Sequence, residues 1–150
     1  MVSAAATTPA AAPVPFAGVM GCRSCEAKDL VETTREASVE VIIDQAEDLR
    51  RRLIEQEALV RAEADLQGVA TPRVEAALTS TRAAAHALET ISSAVAGELG
   101  QQRWVARHVA RFALRLIESA HEQLQRTDMA RVPTGTSPSP LSVAPATARN

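Results

Sequence analysis

Cys22 and Cys25 are the chain's two cysteines, and Cys22-Arg23-Ser24-Cys25 has the spacing of half a tetrahedral zinc site or of a dithiol pair. At a helix start, with Arg23 between them, both thiols are drawn toward thiolate, the form that binds metal and exchanges disulfides. A full zinc site needs two further ligands, and His86, His108 and His121 are scattered rather than set at ligand spacing. Zinc therefore enters only as a clamp joining Cys22 and Cys25 of two chains. A disulfide within or between chains, or two ordinary thiols, are the competing readings. Dithiol redox catalysis calls for a strand–helix–strand scaffold, and no strand pattern is visible.

The second arrangement is electrostatic. Glu32, Glu36, Glu40, Asp44 and Asp48 recur every four residues, and so do Arg103, Arg107, Arg111 and Arg115. A four-residue step keeps each series on one slowly drifting helix face. Facing each other, within one chain or between two, Glu36, Glu40, Asp44 and Asp48 would form a zipper with the four arginines. Exposed ion pairs contribute about 0–1 kcal/mol each, so such a zipper sets orientation and partner choice more than stability. The sharper alternative is a nucleic-acid grip, in which Arg103 to Arg115 hold phosphates while Trp104 stacks on a base. Glu118 and Glu122 on the same helix, the acidic first helix and the missing interleaved aromatics weigh against nucleic acid.

Catalytic patterns are absent from the sequence. There is no glycine-rich phosphate loop, no His-Glu-x-x-His and no Gly-x-Ser-x-Gly. Glu118-Ser-Ala-His121 has the spacing of a di-iron ligand pair, but that chemistry needs two such pairs. The expectation is a non-enzyme with no small-molecule substrate.

The elements that must carry these residues are helices. The chain has 150 residues, a formal net charge of −2, 46% hydrophobic and 2% aromatic residues. That suits one modest domain whose apolar content is largely alanine, and it gives no general pull toward polyanions or anionic membranes. No run approaches the ~18 apolar residues of a membrane span, so an intracellular, cytoplasmic protein is expected. Residues 1–21 lack charge and are rich in alanine and proline, which predicts a disordered tail. Organelle targeting, or lipoprotein processing at Val19-Met20-Gly21-Cys22, are competing readings of that tail. Residues 132–150, rich in Pro, Ser and Thr, predict a second disordered tail.

Between the tails, residues 22–131 read as an all-α domain: a long first helix at 24–67 and an antiparallel hairpin of helices at 72–99 and 101–128. Together these make a three-helix, coiled-coil-like bundle. Val39, Ile42, Ala46, Leu49, Leu53 and Val60 form the first seam, interrupted at Gln56; Val74, Leu78, Thr81, Ala85, Leu88, Ser92, Val95 and Leu99 form the second; Val105, Val109, Phe112, Leu116, Ala120 and Leu124 form the third. Gly68 stops the first helix, Thr71-Pro72 starts the second, and Gly97 and Gly100 make the next break.

The first helix spans on the order of 65 Å against about 40 Å for its partners, which leaves its first third uncovered unless the helix breaks near Thr33-Thr34. Leu30 and Val31 on that third, with Val41 and Ile43 outside the main seam, are then the expected docking residues. The function expected is a non-catalytic adaptor or structural subunit that self-associates, or joins a larger assembly, through the long first helix. Widening of the bundle core by Val41 and Ile43 is the competing role for those two.

Overall fold

The computed structural model describes residues 15–68 and 71–130; the predicted tail at 132–150 and residues 1–14 lie outside them. Every regular element is helical among the described residues: α1 (Phe16–Glu36), α2 (Val39–Gln67), α3 (Pro72–Ser92), the short α4 (Ala96–Gln101) and α5 (Arg103–Ala130). The all-helical expectation holds, but the three-helix arrangement is replaced by four long helices. Each of α1 and α3 packs against both α2 and α5, so α2 and α5 occupy opposite corners of a four-sided bundle. Ion pairs from Arg52 to Glu26, from Arg61 to Glu75 and from Arg82 to Glu57 tie sequential helices together in antiparallel register.

The predicted long helix breaks at Ala37-Ser38 rather than at Thr33-Thr34. Ala37 and Ser38 are extended, and the Ser38 hydroxyl accepts the Val41 N–H to cap α2. Thr33 and Thr34 stay inside α1, their hydroxyls donating to the Asp29 and Val31 carbonyls of the preceding turn. The break lets the first third of the predicted helix fold back as a bundle member.

That third also begins earlier than expected. Residues 16–21, assigned to the tail, form the first turns of α1, and Phe16 and Met20 are fully buried. Pro15 sits at the N-cap, where its missing N–H costs nothing, and the helix follows it. Phe16, Met20, Ala27, Leu30, Val31 and Thr34 then line an inward face at steps of mostly three and four residues. Each large aliphatic or aromatic side chain placed there contributes about 1.5–3 kcal/mol of transfer free energy, an apolar area that three helices would lack.

The α2–α3 turn follows the sequence reading. Gly68 takes the left-handed conformation (φ 67°) that glycine adopts without strain, and Thr71 caps α3 through the Val74 N–H, with Pro72 in the first turn. The next boundary does not. Helix α3 ends at Ser92, where the hydroxyls of Ser92 and Ser93 both take the Glu89 carbonyl; Gly97 and Gly100 fall inside α4. Leu99 is buried on α4, whereas Val95 is 63% exposed and leaves the predicted seam.

Helix α5 is rotated from its expected setting. The buried stripe is Ala106, Ala110, Ala113, Ile117, Ala120, Leu124 and Thr127. Val109 and Leu116 pack at its margins, Val105 is half-buried, and Phe112 is 50% exposed. Alanine in the centre lets α5 lie close to both α1 and α3, where larger side chains would force the axes apart.

Candidate docking face

Helix α5 contributes at both of its ends to holding α1. The Asp128 carboxylate accepts the N–H groups of Phe16 (3.0 Å) and Ala17 (2.8 Å), and the Arg103 guanidinium donates to the carbonyls of Ala37 (2.6 Å) and Thr34 (3.4 Å). These bonds satisfy orphan groups at each end of α1 and place charges of the favourable sign against its dipole. They fix how α5 is rotated and therefore what it turns outward.

Trp104, His108, Arg111, Phe112 and Arg115 are all exposed on α5. The Trp104 and His108 rings meet edge to face, 5.8 Å between centroids and 88° between planes. Trp104, the chain's one tryptophan, is 62% exposed. Arg23, Arg35, Arg50, Arg51, Arg52, Arg61, Arg82 and Arg126 each sit against a carboxylate, while Arg111 and Arg115 have no ion-pair partner among the described residues. Exposed aromatic side chains beside unpaired arginines are the composition that interface centres favour.

The expected charge zipper does not form within the chain. Glu36 ends α1, while Glu40, Asp44 and Asp48 lie on α2, diagonally across the bundle from Arg103, Arg107, Arg111 and Arg115. Asp48 pairs instead with Arg51 and Arg52 on its own helix. Arg103 is spent on the end of α1, and Arg107 is half-buried. Among the described residues, Arg111 and Arg115 are the two of the four that are exposed and without an ion-pair partner.

The expected docking residues are also redistributed. Leu30 and Val31 are buried in the chain's own core, because α1 turns back at Ala37-Ser38, so neither is presented to a partner. Ile43 is half-buried against the core, and Val41 is 49% exposed. Cys22 and Cys25 are free and exposed, but they lie beyond the first turn of α1, so the helix-start position expected for the thiols does not hold. No group of three potential metal-ligating side chains occurs among the described residues.

Elsewhere the surface is less built. A groove of about 700 Å³ lies between the start of α3 and the end of α5, lined by Thr71, Pro72, Arg73, Ala76, Gln123 and Thr127 among others. Its lining pairs no nucleophile with a base. On α2, the Glu47 carboxyl is held below the usual carboxylate range, first by hydrogen bonds from Arg50 and against an upward push from burial.

Sequence reasoning expects His108 on a helix surface, where it lies, but misses Phe112, because Phe112 fits the Val105/Val109/Leu116 seam, and Met129, which lies past the predicted helix end. The available signal was a second seam of the same period, Ala106 to Leu124, whose small residues made it look the weaker one. No described helix is long and apolar enough to cross a membrane. Neither a family model, nor a curated protein, nor a solved structure matches the chain.

Proposed function

We propose that this chain is a non-catalytic helical adaptor or structural subunit, a rigid bundle that docks protein through the outward face of α5. The observation that carries it is the clustering of exposed Trp104 and Phe112 with the unpaired Arg111 and Arg115 on one helix. Burying large aromatics is favourable, so leaving two of them in water on a single face has a cost that a partner would relieve. The bundle scaffold suits such a role, because α5 packs against both α1 and α3, which hold the face in one geometry, so little ordering entropy opposes docking.

The test is co-purification of the full chain from its native cell under mild salt, compared with the Trp104→Ala/Phe112→Ala variant. Both positions are exposed, so circular dichroism should stay unchanged while one or more stoichiometric protein partners, a second copy included, are lost. Retention of every partner by the double variant would overturn the proposal.

A nucleic-acid role has one observation in its favour, Arg111 and Arg115, without ion-pair partners among the described residues, exposed on the same helix as Trp104. Single-stranded oligonucleotide binding that weakens steeply with salt and disappears in Arg111→Glu would establish it. Glu118 and Glu122 continue the same face and would repel a phosphate backbone, which is why protein docking is preferred.

A further inference from the structure

The outward face of α5 has an internal symmetry that the individual residues conceal. Trp104, His108, Arg111, Arg115, Glu118, Glu122, Gln125 and Met129 are all exposed, and they follow one another in alternating steps of four and three residues. That is the heptad spacing that keeps one stripe of a helix facing a neighbouring helix. The inward stripe, Ala106 to Thr127, has the same period and is already filled by α1 and α3. The helix therefore carries two seams on opposite sides, and the second has no covering element among the described residues.

Reading the outer stripe from both ends shows what would cover it. A two-fold axis crossing α5 between Leu116 and Ile117 exchanges Trp104 with Met129, His108 with Gln125, Arg111 with Glu122 and Arg115 with Glu118. An apolar end meets an apolar end, a polar side chain without an acidic group meets another, and each arginine meets a glutamate. All four pairs share the same centre, so one antiparallel register satisfies the whole stripe at once. Trp104 and Met129 are 62% and 69% exposed, so both ends have surface to bury.

We infer that the outer face of α5 is an isologous interface, on which a second copy of this chain docks through its own α5 in antiparallel orientation. The inference rests on the protein-docking role proposed for this face and names the partner. A parallel pair would set arginine on arginine and glutamate on glutamate, so charge selects the antiparallel arrangement. Because α5 stands at one corner of the bundle, two copies can meet corner to corner with their remaining helices on the far sides. Closure by a two-fold axis consumes the sticky surface on both copies and leaves no open end for further growth.

The centre of the seam is charged, and a single helix pair falls toward the lower end of specific interfaces, below about 1,200 Å² in total. The dimer is thus expected to be reversible and salt-sensitive. Glu122 already pairs with Arg126 of its own helix at 2.7 Å; both side chains are exposed, and an exposed pair of this kind exchanges readily for an intermolecular one.

Two variants of the full chain test this. Arg111→Glu/Arg115→Glu makes the central four positions acidic, and Glu118→Arg/Glu122→Arg makes them basic. Sedimentation velocity over protein concentrations from about 5 to about 500 μM should show the native chain passing from one to two copies at low salt, and reverting in ~0.5 M salt. Each variant alone should stay a monomer with unchanged helix content, and an equimolar mixture should regain the two-copy mass. In a Cys22→Ser/Cys25→Ser background, Trp104→Cys should form a disulfide with Met129→Cys but not with itself.

A native chain that remains a monomer throughout, variants that each dimerise as the native chain does, or a mixture that fails to pair would overturn the inference. Oligonucleotide binding by a monomeric native chain, lost in the acidic variant, would do so as well. Failure to dimerise together with loss of a different protein partner in Trp104→Ala/Phe112→Ala would sink the dimer and leave the docking role standing.

Discussion

The carboxylate of Asp128 accepts the backbone N–H of Phe16 at 3.0 Å, so the last turn of α5 caps the first turn of α1 across 112 positions of sequence. Pro15 offers no side-chain cap of its own, and the first turn of α1 contains no acidic residue. Asp128 supplies both the acceptor and the negative charge that a helix N-terminus favours. Asp128→Ala should therefore destabilise the fold by about 1–2 kcal/mol in urea unfolding, with Asp128→Asn recovering part of that. Pro15→Ser, which places a hydroxyl at the N-cap, should lessen the loss in the Asp128→Ala background. If Asp128→Ala unfolds at the native midpoint, the cap contributes nothing.

At the opposite end, Arg103 plays the complementary part on the carbonyls of Thr34 and Ala37. A charged donor to a terminal carbonyl contributes about 1.5–3 kcal/mol at most, and less where water competes. Arg103→Ala should lower stability by about 1 kcal/mol and speed amide hydrogen exchange in the last turn of α1, with α3 unaffected. Arg111→Ala should leave that exchange pattern as it is, separating the arginine that braces the fold from the one that faces outward.

Leu30 and Val41 share a docking role in the sequence pattern, and the fold separates them. Leu30 is fully buried, so Leu30→Ala should cost about 2–5 kcal/mol through lost transfer energy and the cavity left behind. Val41 is 49% exposed, so Val41→Ala should stay within about 0.5 kcal/mol. Chemical denaturation of both variants decides this; equal effects would mean that the α1 face is not packed inside the chain.

The contrast shows which signals the sequence carried on its surface. Local chemistry was legible: Gly68 and Thr71-Pro72 mark a turn because a left-handed stop and a preset first turn each demand a particular residue type. The seam from Ile42 to Val60 was legible because large aliphatics recur at one period. The fold-back at Ala37-Ser38 was hidden, since a serine cap between good helix formers interrupts no pattern and only the packing of Phe16, Met20 and Leu30 shows why the chain turns there. On α5, period alone could not choose between two seams. Small alanines won the centre because the neighbouring helices come close, and that proximity is a tertiary fact. The arginine stripe is plain in the sequence, but the partners of Arg103 are carbonyls 66 and 69 positions away, which no local pattern announces.

Glu47 gives the pH dependence of the fold a specific anchor. Arg50 donates two bonds to its carboxylate, both at 2.9 Å, and these hold the carboxyl below its ordinary range, while burial pushes the other way. A carboxyl that is a stronger acid folded than unfolded adds stability above its unfolded pKa, and that stability is lost as pH falls through the lower, folded value. The Glu47 side chain is 42% exposed, so solvent screening limits the contribution to about 1 kcal/mol or less. Urea midpoints measured at pH 7 and near pH 3 should therefore differ less in Glu47→Gln than in the native chain: the variant starts lower at neutral pH and loses less on acidification. Equal losses in the two proteins would show that the Arg50 contact does not favour the ionised form, and would shift the acid sensitivity to other carboxylates.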